Sequence, residues 1–384
     1  MQFRSGLFYL FETLGQATPA EFYAQAADEI KYGEDLGFYS VCPAEHHFSE
    51  HYGIMPRVEH FLSFIAGQTD RMTLWPMLIV LPLADPIRLA EDCALIDQMS
   101  QGRLVFSVGS GYRKYEFEKL GRDISENAPR VREACDLVVR MFNEDNVSHQ
   151  GQFYSADGIS LQPKLFNNRK PMVYLTTSRE DQIKWAAERG YGIVPAAGFN
   201  PGTLQHEYAK HSRYAKAAGQ PEMEIKPFFK WIYVDEDHDK AVEEGTRLAM
   251  RTLMAFAQGG GKLLSHLIGR SVDTWGDLNE KPEWLDQRLD RIMASGAGYE
   301  EMVQSGWTPF VCGDPDHVAE VLKASVEVGG NYFIGGFKCG PMPSEQVKRS
   351  MRLYQEAVVP QLQAVLDRTS TAAQDSADTT ESRL

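Results

Sequence analysis

The chain has little of what marks an exported, membrane-bound or nucleic-acid-binding protein. Its five cysteines, at positions 42, 93, 135, 312 and 339, are widely spaced with no Cys-x-x-Cys, so nothing suggests a disulfide framework and a reduced, cytoplasmic protein is the expectation. The longest strongly apolar run, Leu74 to Ala84, is about half a membrane-spanning helix and ends at Asp85-Pro86. The opening Met-Gln-Phe-Arg-Ser-Gly lacks the charged-then-apolar pattern of an export signal. Lys and Arg number 39 against 53 Asp and Glu, a net charge of -14 with no basic run, which argues against nucleic acid and anionic membranes as partners. There is no Walker loop and no Gly-x-Gly-x-x-Gly, which leaves triphosphate chemistry and a dinucleotide fold without support.

What is present is an alternation of short apolar runs and amphipathic stretches. Strands are expected at Phe3 to Leu10, 38 to 42, Thr73 to Pro82, Leu104 to Val108, Met172 to Thr176, Gly192 to Pro195, Lys226 to Val234 and Asn331 to Ile334. Helices fall between them, the first from Pro19 with Thr18 as N-cap to Leu36, where Gly37 stops it. Eight such pairs predict an α/β fold, a (β/α)8 TIM barrel. Residues 147 to 167 break the rhythm as a hairpin. After the seventh strand an insertion at about 258–306, with Trp275, Trp284 and Tyr299, is expected to be a lid. The barrel domain is expected over 1–366, and the small polar residues of 367–384 read as a disordered tail.

Chemistry concentrates at Val41-Cys42-Pro43-Ala44-Glu45-His46-His47-Phe48, because Glu45, His46 and His47 fall just past a strand's carboxyl end, where α/β folds keep their sites. Glu45 can fix one ring's tautomer and leave the other histidine to exchange a proton near neutral pH. Two rings hydrogen-bonded to loop carbonyls are the plain structural reading. Zinc is a rival, with His51 and Glu50 nearby, but adjacent residues of an extended segment point apart and no His-Glu-x-x-His or His-x-His occurs, so no metal is expected. Cys42 reads as a small buried filler.

Two further stretches suit a ligand. Gly109-Ser110-Gly111-Tyr112-Arg113 lets backbone approach closely and adds a cation, although a tight turn explains it as well. Thr176-Thr177-Ser178-Arg179 places hydroxyls, a cation and helix amino-terminal amides where a phosphate would fit, with plain capping as the alternative.

The ordered motifs resemble the bacterial luciferase-like family of flavin-dependent monooxygenases, the α subunit in particular. Glu45-His46-His47-Phe48 matches its Glu-His-His-Phe, and Asp85 to Asp92, Asp97 to Leu104 and Trp185 to Gly190 resemble further stretches in the same order. The resemblance implies FMN, bound as FMNH2 at the barrel mouth, with O2 as co-substrate. A C4a-hydroperoxyflavin would oxygenate a small, apolar organic substrate, and a separate NAD(P)H:flavin reductase would supply FMNH2 in a two-component system. A homodimer is implied by the same analogy. His46 takes the place of the catalytic histidine with Glu45 supporting it. Met77 and Leu78 stand where the family packs the isoalloxazine ring, in some members on a non-prolyl cis bond. Thr177, Ser178 and Arg179 stand in the phosphate loop. Gly109 and Ser110 replace the family's cysteine and phosphate-binding arginine, so the cation is expected at Arg113 or Arg179. Phe8, Tyr9 and Tyr112 are expected around the substrate. A deazaflavin-dependent oxidoreductase and a non-catalytic partner subunit are the alternatives.

Overall fold

The computed structural model describes residues 1–13, 17–49, 53–196, 199–257, 309–340 and 342–369. The insertion expected as a lid at about 258–306 therefore lies outside the described residues, as does 370–384 of the expected tail. The last helix continues through residue 369, three residues past the boundary read from composition at 366.

Strand β1 (Arg4–Tyr9) leads to helix α1 (Pro19–Asp35), whose start is fixed by a capping box between Thr18 and Glu21 and whose end is released by Gly37 at φ +93°. Then come β2 (Ser40–Pro43), α2 (Val58–Ala66), β3 (Thr73–Leu74), β4 (Ile79–Val80) and α3 (Pro86–Met99), which Asp85 caps through the amides of Ile87 and Arg88. The third strand was expected as one run. It is instead two short pieces on either side of the cis peptide bond Met77-Leu78.

β5 (Val105–Gly109) is followed by a six-residue helix α4 (Lys114–Lys119), too short to show helical periodicity in the sequence, and by α5 (Asn127–Asn143). The expected excursion is an antiparallel hairpin, β6 (Val147–Gln150) and β7 (Ser155–Ile159). The regular rhythm resumes with β8 (Met172–Thr176), α6 (Glu180–Glu188), β9 (Gly192–Val194), α7 (Pro201–Ala217), β10 (Pro227–Val234) and α8 (His238–Ala257). After the undescribed segment come β11 (Phe310–Gly313), α9 (Pro315–Glu327), β12 (Tyr332–Gly336) and α10 (Ser344–Leu353).

Among the described residues all pairings outside the hairpin are parallel. One sheet runs β11-β10-β12-β1-β2-β3 and a second β4-β5-β8-β9, and a bridge between Leu74 and Leu104 joins them. Where β9 meets β10, Phe199 lies beside Phe229 and Trp231, with ring centroids 6.3 and 6.4 Å away, and Lys230 Nζ donates to the Phe199 carbonyl at 2.9 Å. The eight barrel positions are thus β1, β2, β3 with β4, β5, β8, β9, β10 and β12. β11 is an added strand along the end of β10. Helices cover the outside, so the strands are buried on both faces, as their near-continuous apolar sequences require.

Period-two alternation decides which side chains meet the barrel interior. On β1, Phe8 faces inward and packs on Phe229 at 4.7 Å, whereas Tyr9 faces the helices and donates to Glu29 at 3.2 Å. Tyr9 therefore does not line the cavity, where the sequence reading had placed it.

Candidate active site

A cavity of about 800 Å³ opens at the carboxyl ends of the strands. Its walls include Phe8, Leu10, Met77, Leu78, Phe199, Phe229 and Trp231, and polar groups gather at two places. One is the segment after β2. The other is the loop between β8 and α6.

After β2, His46 lines the cavity with its ring edge-on to Tyr112, centroids 5.9 Å apart. Its Nδ1 lies 3.1 Å from Glu116 Oε1, and the same oxygen accepts the His47 backbone N–H at 3.0 Å. Glu116 comes from α4, which the turn at Gly111 (φ +70°) brings over the β2 segment. A Cβ on Gly111 would approach Val80 and Phe117 to 2.7 and 2.8 Å, so the turn needs glycine there. With a carboxylate accepting from Nδ1–H, the lone pair of His46 is on Nε2.

Burial pulls the His46 imidazole down to about 4, with the Arg113 charge acting the same way and Glu116 opposing it. Burial raises the Glu116 carboxyl, but the hydrogen bonds from His46 and His47 and the charge of Arg113 outweigh it and leave Glu116 below its ordinary value. At neutral pH the pair is a carboxylate and a neutral imidazole.

Glu45 was expected to support His46. It instead receives His47 Nε2 at 2.9 Å and the Val80 amide at 3.0 Å. The reason is the extended backbone, which points residues i and i+2 to one side and the intervening one to the other. Burial raises the Glu45 carboxyl. Burial works against protonation of His47 too, yet the Glu45 hydrogen bond and charge win and its pKa is raised. The adjacent histidines thus face different carboxylates, shift in opposite directions and do not converge on one point. His51 and Glu50, the other residues of the zinc alternative, lie outside the described residues, and no metal-binding cluster occurs among the described ones. Cys42 is buried, held at 3.2 Å from Ser40 Oγ, and burial pushes its thiol up to about 12. It is a packed filler, not a nucleophile.

At the other end, Thr177, Ser178 and Arg179 all line the cavity. Thr177 Oγ1 accepts the Arg179 amide at 3.1 Å and donates to Gln182 Oε1 at 2.7 Å, and Gln182 Nε2 donates to Ser110 Oγ at 2.8 Å. This chain ties the loops after β5 and β8 together. Arg179 is the N-cap residue of α6 but gives it no side-chain cap, and its guanidinium is more than half exposed beside Asp181 at 3.2 Å. Thr176 Oγ1 is buried at the wall without a hydrogen-bond partner among the described residues.

Two of the glycine-loop expectations change. Gly109 does not line the cavity. A Cβ there would come within 2.4 Å of Leu78, so the residue makes room for Leu78. Arg113 is completely buried and does not line the cavity, its Nε 3.3 Å from the Tyr112 hydroxyl. Glu116, Gln182, Phe199, Phe229 and Trp231 were not singled out from the sequence. Gln182 is the one with a local cue, since it sits one helical turn past the Thr-Ser-Arg stretch.

Comparison with known proteins finds relatives over most of the chain. The chain is 24% identical over 331 residues to the alkanal monooxygenase alpha chain of the Kryptophanaron alfredi symbiont, covering 86% of this chain and 90% of that one. Among solved structures, monooxygenase RslO1 from Streptomyces bottropensis superposes with a TM-score of 0.76 at 22% identity, over 93% of this chain and 99% of that one. The oxygenating constituent of the Pseudomonas putida 3,6-diketocamphane monooxygenase, in complex with FMN, gives 0.73 at 18% identity over 94% and 98%. The coenzyme F420 dependent tetrahydromethanopterin reductase of Methanopyrus kandleri gives 0.72 at 19% identity over 94% and 100%. The model of the luciferase-like monooxygenases matches residues 3–332, most of the barrel, and the chain belongs to that family.

Proposed function

We propose that the protein is a two-component monooxygenase that takes FMNH2 from a separate NAD(P)H:flavin reductase and uses O2 to oxygenate a small apolar molecule. The observation that carries this reading is His46, a buried neutral imidazole oriented by Glu116 on the wall of a cavity whose opposite end is built for an anion. Its volume of about 800 Å³ lies within the range of cofactor sites. The residues present fit a flavin. Thr177, Ser178 and Arg179 would hold the phosphate with the amides at the start of α6, and Ser110 and Gln182 would brace that loop. Met77 and Leu78 would lie against the ring, and Thr176 Oγ1 is a buried hydroxyl at the wall awaiting a partner.

Reduced flavin, when bound, supplies the electrons that activate O2. The chain's own tasks are to exclude water and to move a proton. Phe8, Phe229, Trp231 and Phe199 form an uncharged wall of mutually packed rings, which suits an apolar guest. His46 would accept and return a proton at Nε2 while Glu116 keeps hold of Nδ1–H. Phe64 of α2 and Leu95 and Met99 of α3 leave large apolar side chains about half exposed, which supports a second copy packing there to form a homodimer.

The test is oxygen uptake with a flavin reductase, NAD(P)H, FMN and a panel of neutral ketones, aldehydes and aromatics. Substrate-dependent uptake is expected, and its loss in His46→Ala with FMN binding retained. Unchanged turnover in that variant refutes the role. A deazaflavin-dependent oxidoreductase is the second reading, favoured by the Methanopyrus kandleri likeness and the exposed Arg179 at the anion end. Preferential binding of a deazaflavin over FMN decides for it. A non-catalytic subunit is disfavoured by the complete Glu116–His46 pair, and turnover by the purified single chain excludes it.

A further inference from the structure

Lys230 lies in the middle of β10 and is almost completely buried. Strands covered on both faces carry apolar side chains, and an amine withdrawn from water is costly unless something holds it. Its Nζ donates to the main-chain carbonyl of Phe199 at 2.9 Å. Phe199 directly precedes Asn200, which caps α7 through the amides of Gly202 and Thr203. The lysine thus fixes the backbone at the point where the loop after β9 turns into a helix.

The chain neighbours of Lys230 hold the same residue by its ring. Alternation along β10 sends Phe229 and Trp231 to the cavity and Lys230 to the other face. The Phe199 ring lies 6.4 Å from that of Trp231, inclined by only 23°, and 6.3 Å from that of Phe229 at 60°. Three consecutive residues therefore grip one loop residue, two on its ring and one on its carbonyl. The grip falls where the sheet gives least support, because no strand pairing joins β9 to β10 among the described residues. Tyr174 and Tyr208 donate across to the carbonyls of Ile225 and Pro227 at 3.1 and 2.8 Å, and β11 pairs with β10 only from Trp231 onward. On β10, the Lys230 contact lies between these.

We propose that Lys230 is a positioning residue for substrate specificity: it pins Phe199 against Trp231 and so sets the size of guest that the aromatic wall admits. The role requires the Lys230–Phe199 contact and does not require it to be the sole contact of either residue. It deepens the functional reading given above and rests on it for its meaning in turnover, but the pin itself is a property of the flavin-free protein.

The experiment reads the pin and the size limit separately. In NMR of the tryptophan indole N–H groups of the full-length, flavin-free protein, the Trp231 signal is identified by its absence in Trp231→Phe. Phe199→Ala removes the ring that lies over Trp231, and the displacement it causes marks the unpinned position. Lys230→Met, of similar length but without a donor, is expected to move the signal most of the way there, and to add no further shift in a Phe199→Ala background. Calorimetry with two neutral ketones, acetophenone and 2-acetylnaphthalene, gives the size limit: the preference for the larger is expected to rise about tenfold in Lys230→Met and in Phe199→Ala alike. A folded Lys230→Met protein with an unmoved Trp231 signal overturns the proposal. So does an equal shift in the Phe199→Ala background, which would show Lys230 acting on Trp231 without Phe199. If Lys230→Met does not fold, an unchanged size preference in Phe199→Ala overturns it, as does a wild-type protein that binds neither ketone. A preference that changes as stated in a protein without ketone-dependent oxygen uptake supports the pin and counts against the monooxygenase reading.

Discussion

The two polar ends of the cavity are built on opposite principles. At the β2 end the described histidines and carboxylates are buried and matched at close range, His46 on Glu116 and His47 on Glu45. At the α6 end the one cation on the cavity wall among the described residues, Arg179, is more than half exposed, and the other described polar groups are hydroxyls, an amide side chain and backbone N–H groups. A proton-transfer group must have its protonation state set in advance, which takes low dielectric and fixed partners. A site that captures a soluble anion for one turnover needs exposure and only modest affinity. The β2 end is therefore expected to govern rate and the α6 end binding.

The sharpest way to break that contrast is His46→Ala, which should lower oxygenation on the order of 100-fold or more, measured as kcat at saturating FMNH2, with little change in FMN affinity. Next is Glu116→Ala, which strips the acceptor from His46 Nδ1–H and from the His47 amide. Leaving buried donors unsatisfied costs about 1 to 3 kcal/mol apiece, so urea denaturation should show a loss on the order of 3 kcal/mol. An unchanged urea midpoint would mean that the pair is not buried as described.

The pH dependence follows from the sign of the His46 shift. Its folded pKa lies below the ordinary 6.5, at about 4, so the unfolded chain binds that proton first and stability drains away as pH falls through this window. His46→Gln should remove that part of the acid sensitivity. His47, shifted the other way, should persist as a contribution that is lost as pH rises. At the α6 end Arg179→Ala should weaken FMN binding only about tenfold, with kcat at saturating flavin kept, since an exposed cation is screened by solvent. A larger fall in kcat than in affinity would erase the distinction between the two ends. Smallest of all, Tyr9→Phe should leave KM unmoved and cost about 1 kcal/mol of stability through the lost Glu29 contact.

Much of this was legible in the chain itself. The Thr18 cap and the Gly37 stop are local signals, and the structure carries both where the sequence puts them. His46, Thr177, Ser178 and Arg179 reach the cavity because they follow strands whose carboxyl ends share one side of the barrel. What was missed depended on contacts far apart in sequence. Glu116 lies 70 residues from His46, on a six-residue helix that no periodicity announces. Tyr9 was misplaced by one step of strand alternation, an ambiguity that a strand buried on both faces always leaves.

The sequence alone determined the order of strands and helices, the family, and the histidine at a strand's end, because caps, breakers and apolar spacing act within a few residues. The tertiary structure decided which carboxylate serves which histidine and buried Arg113 off the cavity wall. Pairing and burial are properties of segments brought together by the barrel fold, and the electrostatics of a group follows its surroundings rather than its neighbours in the chain.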